Sequence, residues 1–213
     1  NLALMDSTGT LTIPDGVTKI GNGAFANLSG LKTIIIPGTV KEIGENAFTN
    51  NADLTRVVLE EGIEKIGKEA FMRCRNLETI ELPESLASIE DHAFAECSKL
   101  NNVKMPSKLT VIKNATFYAC NSLTNIILSE NLEEIAGNAF LDCNQLDNIY
   151  ISKNVKNIAN SAFEHCTNLV NIEISEGNTK YSYSQDSGML IDIENNNIIF
   201  ISSAVLNNIT TFS

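Results

Sequence analysis

Seven phenylalanines, Phe25, Phe48, Phe71, Phe94, Phe117, Phe140 and Phe163, follow one another at an unbroken spacing of 23 residues. A fixed period of this length marks a repeat architecture, in which each unit is one small element stacked on the next. Other apolar positions keep the same register. Val17, Val40, Ile63, Leu86, Leu109, Leu132 and Val155 stand eight residues before each Phe, and an isoleucine stands five before, from Ile20 to Ile158. Leucine fills the sixth place after it without exception, from Leu31 to Leu169. Ile or Val holds the ninth, from Ile34 to Ile172, and the eleventh is again apolar, from Ile36 to Ile174.

The unit therefore reads VxxIxxxAFxxCxxLxxIxLP. Its LxxIxL segment ends in alternation of inward apolar and outward variable residues, which is the pattern of a half-buried strand. Pro37, Pro83 and Pro106 follow directly and stop it. VxxI reads as a second, shorter extended segment, and the stretch around Ala-Phe has room for at most a turn or two of helix. Thr116 is the one departure from Ala before the Phe. One unit cannot bury its own apolar face, whereas stacked copies make a continuous core. The predicted fold is thus a mostly β solenoid of about seven coils, with a parallel strand ladder on one side and short extended segments and helical turns on the other. At about 4.8 Å per strand the stack would be on the order of 35 Å long.

These residues resemble the BspA-like class of leucine-rich repeats, whose unit runs close to VtsIgdyAFsgCssLtsItIP. VKEIGENAFTNNADLTRVVL and LASIEDHAFAECSKLNNVKMP match it position by position, and the resemblance covers about Leu11 to Ser175. It implies a leucine-rich-repeat solenoid from a family of mostly secreted or surface-anchored bacterial proteins associated with adhesion.

The ends depart from the period. Residues 1–16 are expected to form an entry cap and first strand, 17–176 the seven repeats, and 177–213 an irregular hairpin insert or the start of a further repeat. From Gly177 the register is read as lost. KYSYSQDSGMLIDIENNNIIFIS suggests strand, Asn-rich turn and strand, with Asn195 to Asn197 at the tip, similar to the YxSxDGxLY insert of the family. A further strand would begin near Ser213, so the chain is expected to continue.

Composition narrows the function. A net charge of −11 and a pI near 4.6 oppose phosphate-backbone and anionic-membrane binding, which rely on Lys and Arg. No apolar run approaches the roughly 18 residues of a spanning helix. No charged-then-apolar leader opens the sequence, so any secretion signal is expected to have been processed or to lie outside this stretch of sequence.

All five cysteines, Cys74, Cys97, Cys120, Cys143 and Cys166, lie three residues after a repeat Phe and form one row, in which Leu28 and Asn51 occupy the first two places. Parallel neighbours nearly 5 Å apart suit a disulfide badly, since it wants converging Cβ atoms about 3.8 Å apart. Buried reduced thiols, bonding weakly to loop carbonyls, are expected instead. A single row cannot wrap a tetrahedral metal, and no CxxC exists, so neither metal nor cofactor is expected. His92 and His165 lie three repeats apart and cannot meet, and His165 beside Cys166 does not make a nucleophile pair. There is no calcium loop, P-loop or GxSxG. The chain is read as not an enzyme. Asn27, Asn114 and Asn208 open N-x-S/T sequons that matter only in a eukaryotic secretory pathway.

Information about partners should lie in the outward strand residues, which packing leaves free. Ten residues after each Phe stand Ile35, Val58, Glu81, Lys104, Ile127, Tyr150 and Glu173, two apolar pairs divided by a charge pair. Eight after stand Thr33, Arg56 and Thr79, then Asn102, Asn125, Asn148 and Asn171. Stacked Asn amides could bond to one another along the ladder. Alternatively Ile127 and Tyr150 beside Asn125 and Asn148, with Ile35, Val58 and Arg56, form a binding face for a protein or a glycan. An extracellular interaction module, a passive spacer on a cell surface and a hydrolase of surface polymers are the three readings. The last lacks any catalytic constellation.

Overall fold

The structure, a computed structural model, describes residues 5–203. Each repeat makes one coil with two extended segments. The longer strands are β1 (Thr10–Thr12), β3 (Thr33–Ile36), β5 (Arg56–Leu59), β7 (Thr79–Glu81), β9 (Asn102–Lys104), β11 (Asn125–Ile127), β13 (Asn148–Ile151) and β15 (Asn171–Ile174). Alternating with them are two-residue strands, β2 (Lys19–Ile20), β4 (Glu42–Ile43), β6 (Lys65–Ile66), β8 (Ser88–Ile89), β10 (Val111–Ile112), β12 (Glu134–Ile135) and β14 (Asn157–Ile158). β16 (Tyr181–Ser184), β17 (Met189–Asp192) and β18 (Asn197–Ile201) follow the repeats.

All pairing within the repeats is parallel and shifted by one period, as in Leu11↔Ile34, Ile34↔Val57 and Val57↔Ile80. The chain is a parallel β-solenoid of about seven coils, as the period predicts. The long-strand ladder runs continuously from β1 to β11, divides, and resumes as β13–β15. On the other flank the short strands form β2-β4-β6-β8 and then β10-β12-β14.

No helix forms in the repeats. The Ala-Phe stretch is instead a string of turns, because the residue two after each repeat Phe and, in every coil but the seventh, the residue two before it adopt left-handed backbone angles. In the second coil these are Asn46 (φ 55°) and Asn50 (φ 57°), in the third Glu69 (φ 56°) and Arg73 (φ 62°). Such residues interrupt any right-handed run and aim alternate N–H groups along the stack. Asn46, Phe48 and Asn50 accordingly donate to the carbonyls of Lys68, Ala70 and Met72 in the next coil at 2.7–2.9 Å. The turns thereby make a third hydrogen-bonded column.

Inside, the leucine row from Leu31 to Leu169 and the repeat phenylalanines from Phe48 to Phe163 are fully buried. The seven repeat rings stack with centroids 5.3–5.7 Å apart and planes within 9° of parallel. Phe200, from β18, closes the stack edge-on against Phe163 at 6.3 Å.

At the entry, residues 5–10 fold back over β1. Met5 bridges Leu11 in antiparallel sense, and the Asp6 carboxylate accepts from the nitrogens of Thr8 and Thr10. At the far end β16, β17 and β18 form an antiparallel sheet. The register does not vanish at Gly177. Asn178 and Tyr181 stand 23 residues after Val155 and Ile158 and bond to that coil, Asn178 to the Val155 carbonyl at 3.2 Å and the Tyr181 hydroxyl to the Ile158 nitrogen at 2.9 Å. The expected start of a further repeat beyond Ala204, and the sequon at Asn208, lie outside the described residues.

Candidate interaction face

The outward side of the long-strand ladder carries every candidate residue. Ile35 and Val58 are register partners, with Arg56 two residues from Val58 on the same side. Asn125 is aligned with Asn102 and Ile127 with Lys104 on β11 and β9. Asn148 is aligned with Asn171 and Tyr150 with Glu173 on β13 and β15. Two separate groups result. One lies on the second and third long strands, the other on the sixth and seventh, and the division of the ladder falls inside the second group, between the strands of Ile127 and Tyr150.

Ile127 is 54% exposed, the only large apolar side chain of the repeats so open among the described residues. Tyr150, Ile35 and Val58 are half-buried, and Arg56, Asn125 and Asn148 are exposed. The Arg56 guanidinium has neither ion pair nor hydrogen bond among the described residues, whereas Arg73 and Arg75 both reach Glu96. Lys104 lies 3.5 Å from Glu84 rather than pairing with Glu81.

The asparagine row does not bond along the ladder. Asn102 donates to Asn101 at 2.6 Å, and Asn148 donates to Asp147, each within its own coil. A stacked amide pair does occur at the turn column, where Asn50 donates to Asn27 at 2.7 Å. The amides of Asn125 and Asn171 have no partner among the described residues. Side-chain amides on the face are therefore open to a ligand. A hollow of about 270 Å³, which sequence did not reveal, lies between Thr79, Glu81, Asn102, Lys104, Asn125 and Ile127. It lies where the ladder pairs least, a single register pair, Thr79↔Asn102, joining β7 to β9.

The cysteines have no part in a site. Each thiol from Cys74 to Cys166 donates to the carbonyl of the Phe one coil back at 3.1–3.3 Å. All five are free and buried. Burial pushes Cys74 and Cys166 up to about 12 and the other three well above the ordinary thiol value, so no thiolate is available as nucleophile or metal ligand. His165 turns away from Cys166, its Nδ1 lying 2.9 Å from Asp142. Among the described residues no group of three or more His, Cys, Asp or Glu is placed to hold a metal ion, and no helix is long and apolar enough to cross a membrane.

The repeat signature matches the BspA type leucine-rich repeat region, in six copies, over residues 5–124 and 88–211. The chain belongs to that family. Its BspA-type fold is shared with a leucine-rich cell surface protein of Faecalibacterium prausnitzii at TM-score 0.79 and 29% identity, over 93% of this chain and 57% of that one. A leucine-rich repeat protein of Bacteroides ovatus is similar at TM-score 0.73 and 32% identity, over 79% and 46%. The pneumococcal vaccine antigen PcpA, at 19% identity and TM-score 0.59 over 96% and 49%, shares the fold. The BspA-type chain thus spans about half the length of these structures. No curated protein matches it.

Proposed function

We propose that this BspA-type array is a non-enzymatic interaction module that binds a protein partner through the long-strand face, on a cell surface or after secretion. The observation that carries the reading is Ile127, an open apolar side chain on a face where the repeat's own packing requires none. Beside it stand Tyr150 and the amides of Asn125 and Asn148. An aromatic or aliphatic anchor ringed by hydrogen-bonding groups is the usual make-up of an energetic centre in a protein interface. Ile35, Val58 and the uncommitted guanidinium of Arg56 form a second patch on the same side, suited to a carboxylate next to an apolar group. The surface location of the Faecalibacterium relative supports adhesion as the role.

The test is binding of the chain to immobilised matrix proteins, such as fibrinogen, fibronectin and collagen, and to arrayed glycans. For a true protein partner, Tyr150→Ala and Ile127→Ala should each cost about 2 kcal/mol of affinity without loss of fold. No selective binding to any protein would favour a spacer. A partner whose affinity ignores both variants but falls on mutating Tyr181 to Met189 would place binding in the insert.

A further inference from the structure

A second concavity lies away from the strand face. A cleft of about 400 Å³ separates the flank formed by β12 and β14 from the β16–β18 sheet. On the flank wall Glu134 and Asn157 are register partners, and neither side chain has a hydrogen-bond or ion partner among the described residues. The facing wall holds Asp192, only 6% exposed. Its carboxylate accepts from the Asn195 main-chain nitrogen at 3.0 Å and from Asn195 Nδ2 at 2.9 Å, with the Lys180 ammonium at 3.9 Å. That arrangement fixes the Asn195 amide and leaves its carbonyl oxygen uncommitted. Asn197 donates to Asn160 at 3.0 Å and ties the two walls together. Ala136, Ala159 and Ile199 give the cleft an apolar lining between the polar groups.

Charge does not select the ligand. Lys180 is already held by Asp192 and Glu194, so no free cation awaits a phosphate. Glu134 alone is a weak basis for a cation, because an exposed pair contributes little. What the cleft offers is a set of amide and carboxylate groups, some fixed and some free, alternating with small apolar patches. Closely spaced hydroxyls on a ring with C–H faces match that set, since amides and carboxylates between them both donate to and accept from hydroxyls. The volume lies at the lower end of small-molecule sites, which run from roughly 300 to 1,000 Å³.

We propose that this cleft is a second binding site, for a short neutral saccharide, with Asn157 and Asn195 hydrogen-bonded to its hydroxyls. The site is independent of the strand face, so either can fail alone.

The experiment is ligand-observed and ¹⁵N-resolved NMR of the whole chain with cellobiose, lactose and chitobiose. At least one sugar should show saturation transfer and shift the Asn157 and Asn195 amides. Asn157→Ala and Asn195→Ala should each weaken it about tenfold, as the loss of one hydrogen bond does. Asn157→Trp, at an exposed position, should fill the cleft and abolish binding, while Tyr150→Ala leaves it unchanged. The proposal is overturned if no sugar perturbs the cleft at about 10 mM, a weak-binding limit. Affinity that survives both asparagine variants overturns it too, as would a cleft that takes inorganic phosphate or a lysyl peptide and no sugar.

Discussion

The Tyr181 hydroxyl accepts a hydrogen bond from the Ile158 nitrogen at 2.9 Å and lies 3.2 Å from the Lys156 carbonyl, to which it donates. Those are the two main-chain groups that a following short strand would engage. The insert repeats the device. Tyr183 Oη and Gln185 Nε2 both donate to the Val170 carbonyl, and Asn178 Nδ2 donates to those of Ser152 and Val155. Side chains of the insert thus take part in finishing the hydrogen bonding of the seventh coil. An open strand edge invites pairing with other chains, and this edge is closed in part by tyrosine.

Removing one hydroxyl tests that closure. Tyr181→Phe keeps the ring but leaves a buried N–H and a carbonyl without partners, which should cost about 1–3 kcal/mol. Urea unfolding would give the loss, and hydrogen exchange should show the Ile158 amide deprotected ahead of those in the middle coils. Unchanged exchange at Ile158 would mean that water replaces the hydroxyl.

The ring column is the second subject. Phe94 is fully buried and stacked on both sides, at 5.5 Å from Phe71 and 5.7 Å from Phe117. Phe94→Ala should cost about 3–5 kcal/mol. Because stability in such arrays resides in nearest-neighbour interfaces, protection should fall in the coils of Phe71 and Phe117 as well. An unaltered melting curve would show that the ring column is not the spine of the stack.

The thiols give a chemical test. With all five buried and their pKa values raised by desolvation, native protein should resist iodoacetamide at neutral pH while denatured protein titrates five thiols. Fewer than five after denaturation without reductant would reveal disulfides.

What could be read from sequence divides along physical lines. The inward rows were legible because packing requires the same residue type every 23 positions, and the Cys row because a small weak donor suits every coil that follows a Phe carbonyl. Helical turns at Ala-Phe were expected wrongly. The residues at the left-handed places, such as Glu69, Arg73, His92 and Ala119, carry no common signature except their spacing from the Phe. Tyr181 kept the period, but a tyrosine in an isoleucine row looks like loss of register until its hydroxyl is seen on the preceding coil. The outward face stayed ambiguous because Ile127 and Tyr150 satisfy β propensity and binding equally well.

Ala119 tests the left-handed column directly. It sits at φ 56° with its side chain half-exposed, a conformation that costs an L-residue about 1–2 kcal/mol and glycine little. Ala119→Gly should therefore stabilise by up to about 1 kcal/mol. Ala47, fully buried and in ordinary backbone geometry, is the control. There the same change should destabilise by about 0.5–1 kcal/mol or more. If both variants lose stability alike in urea, the left-handed turn is not a source of strain.

Asn51 provides the most local test of the stack, because it occupies the Cys row as a fully buried polar side chain. Its Nδ2 donates to the carbonyls of Phe25 and Phe48 at 2.9 and 2.7 Å, and its Oδ1 accepts from the Leu28 nitrogen at 2.8 Å. In the next coil Cys74 makes a single bond to the Phe48 carbonyl at 3.3 Å. The asparagine thus joins the first coil, which has Leu28 and no thiol in the row, to the second. Asn51→Ala strands the Leu28 N–H and the Phe25 carbonyl, while the Phe48 carbonyl keeps its bond from Cys74, and at about 1–3 kcal/mol for each group left unpaired it should be among the most damaging single changes in the entry coils. Asn51→Cys restores one bond to the Phe25 carbonyl and fits the space that five other coils give a thiol, so it should recover part of the loss. The order of urea midpoints, wild type above Asn51→Cys above Asn51→Ala, is the expected result. If Asn51→Cys matches wild type, bulk packing rather than the amide bridge holds the first coil on.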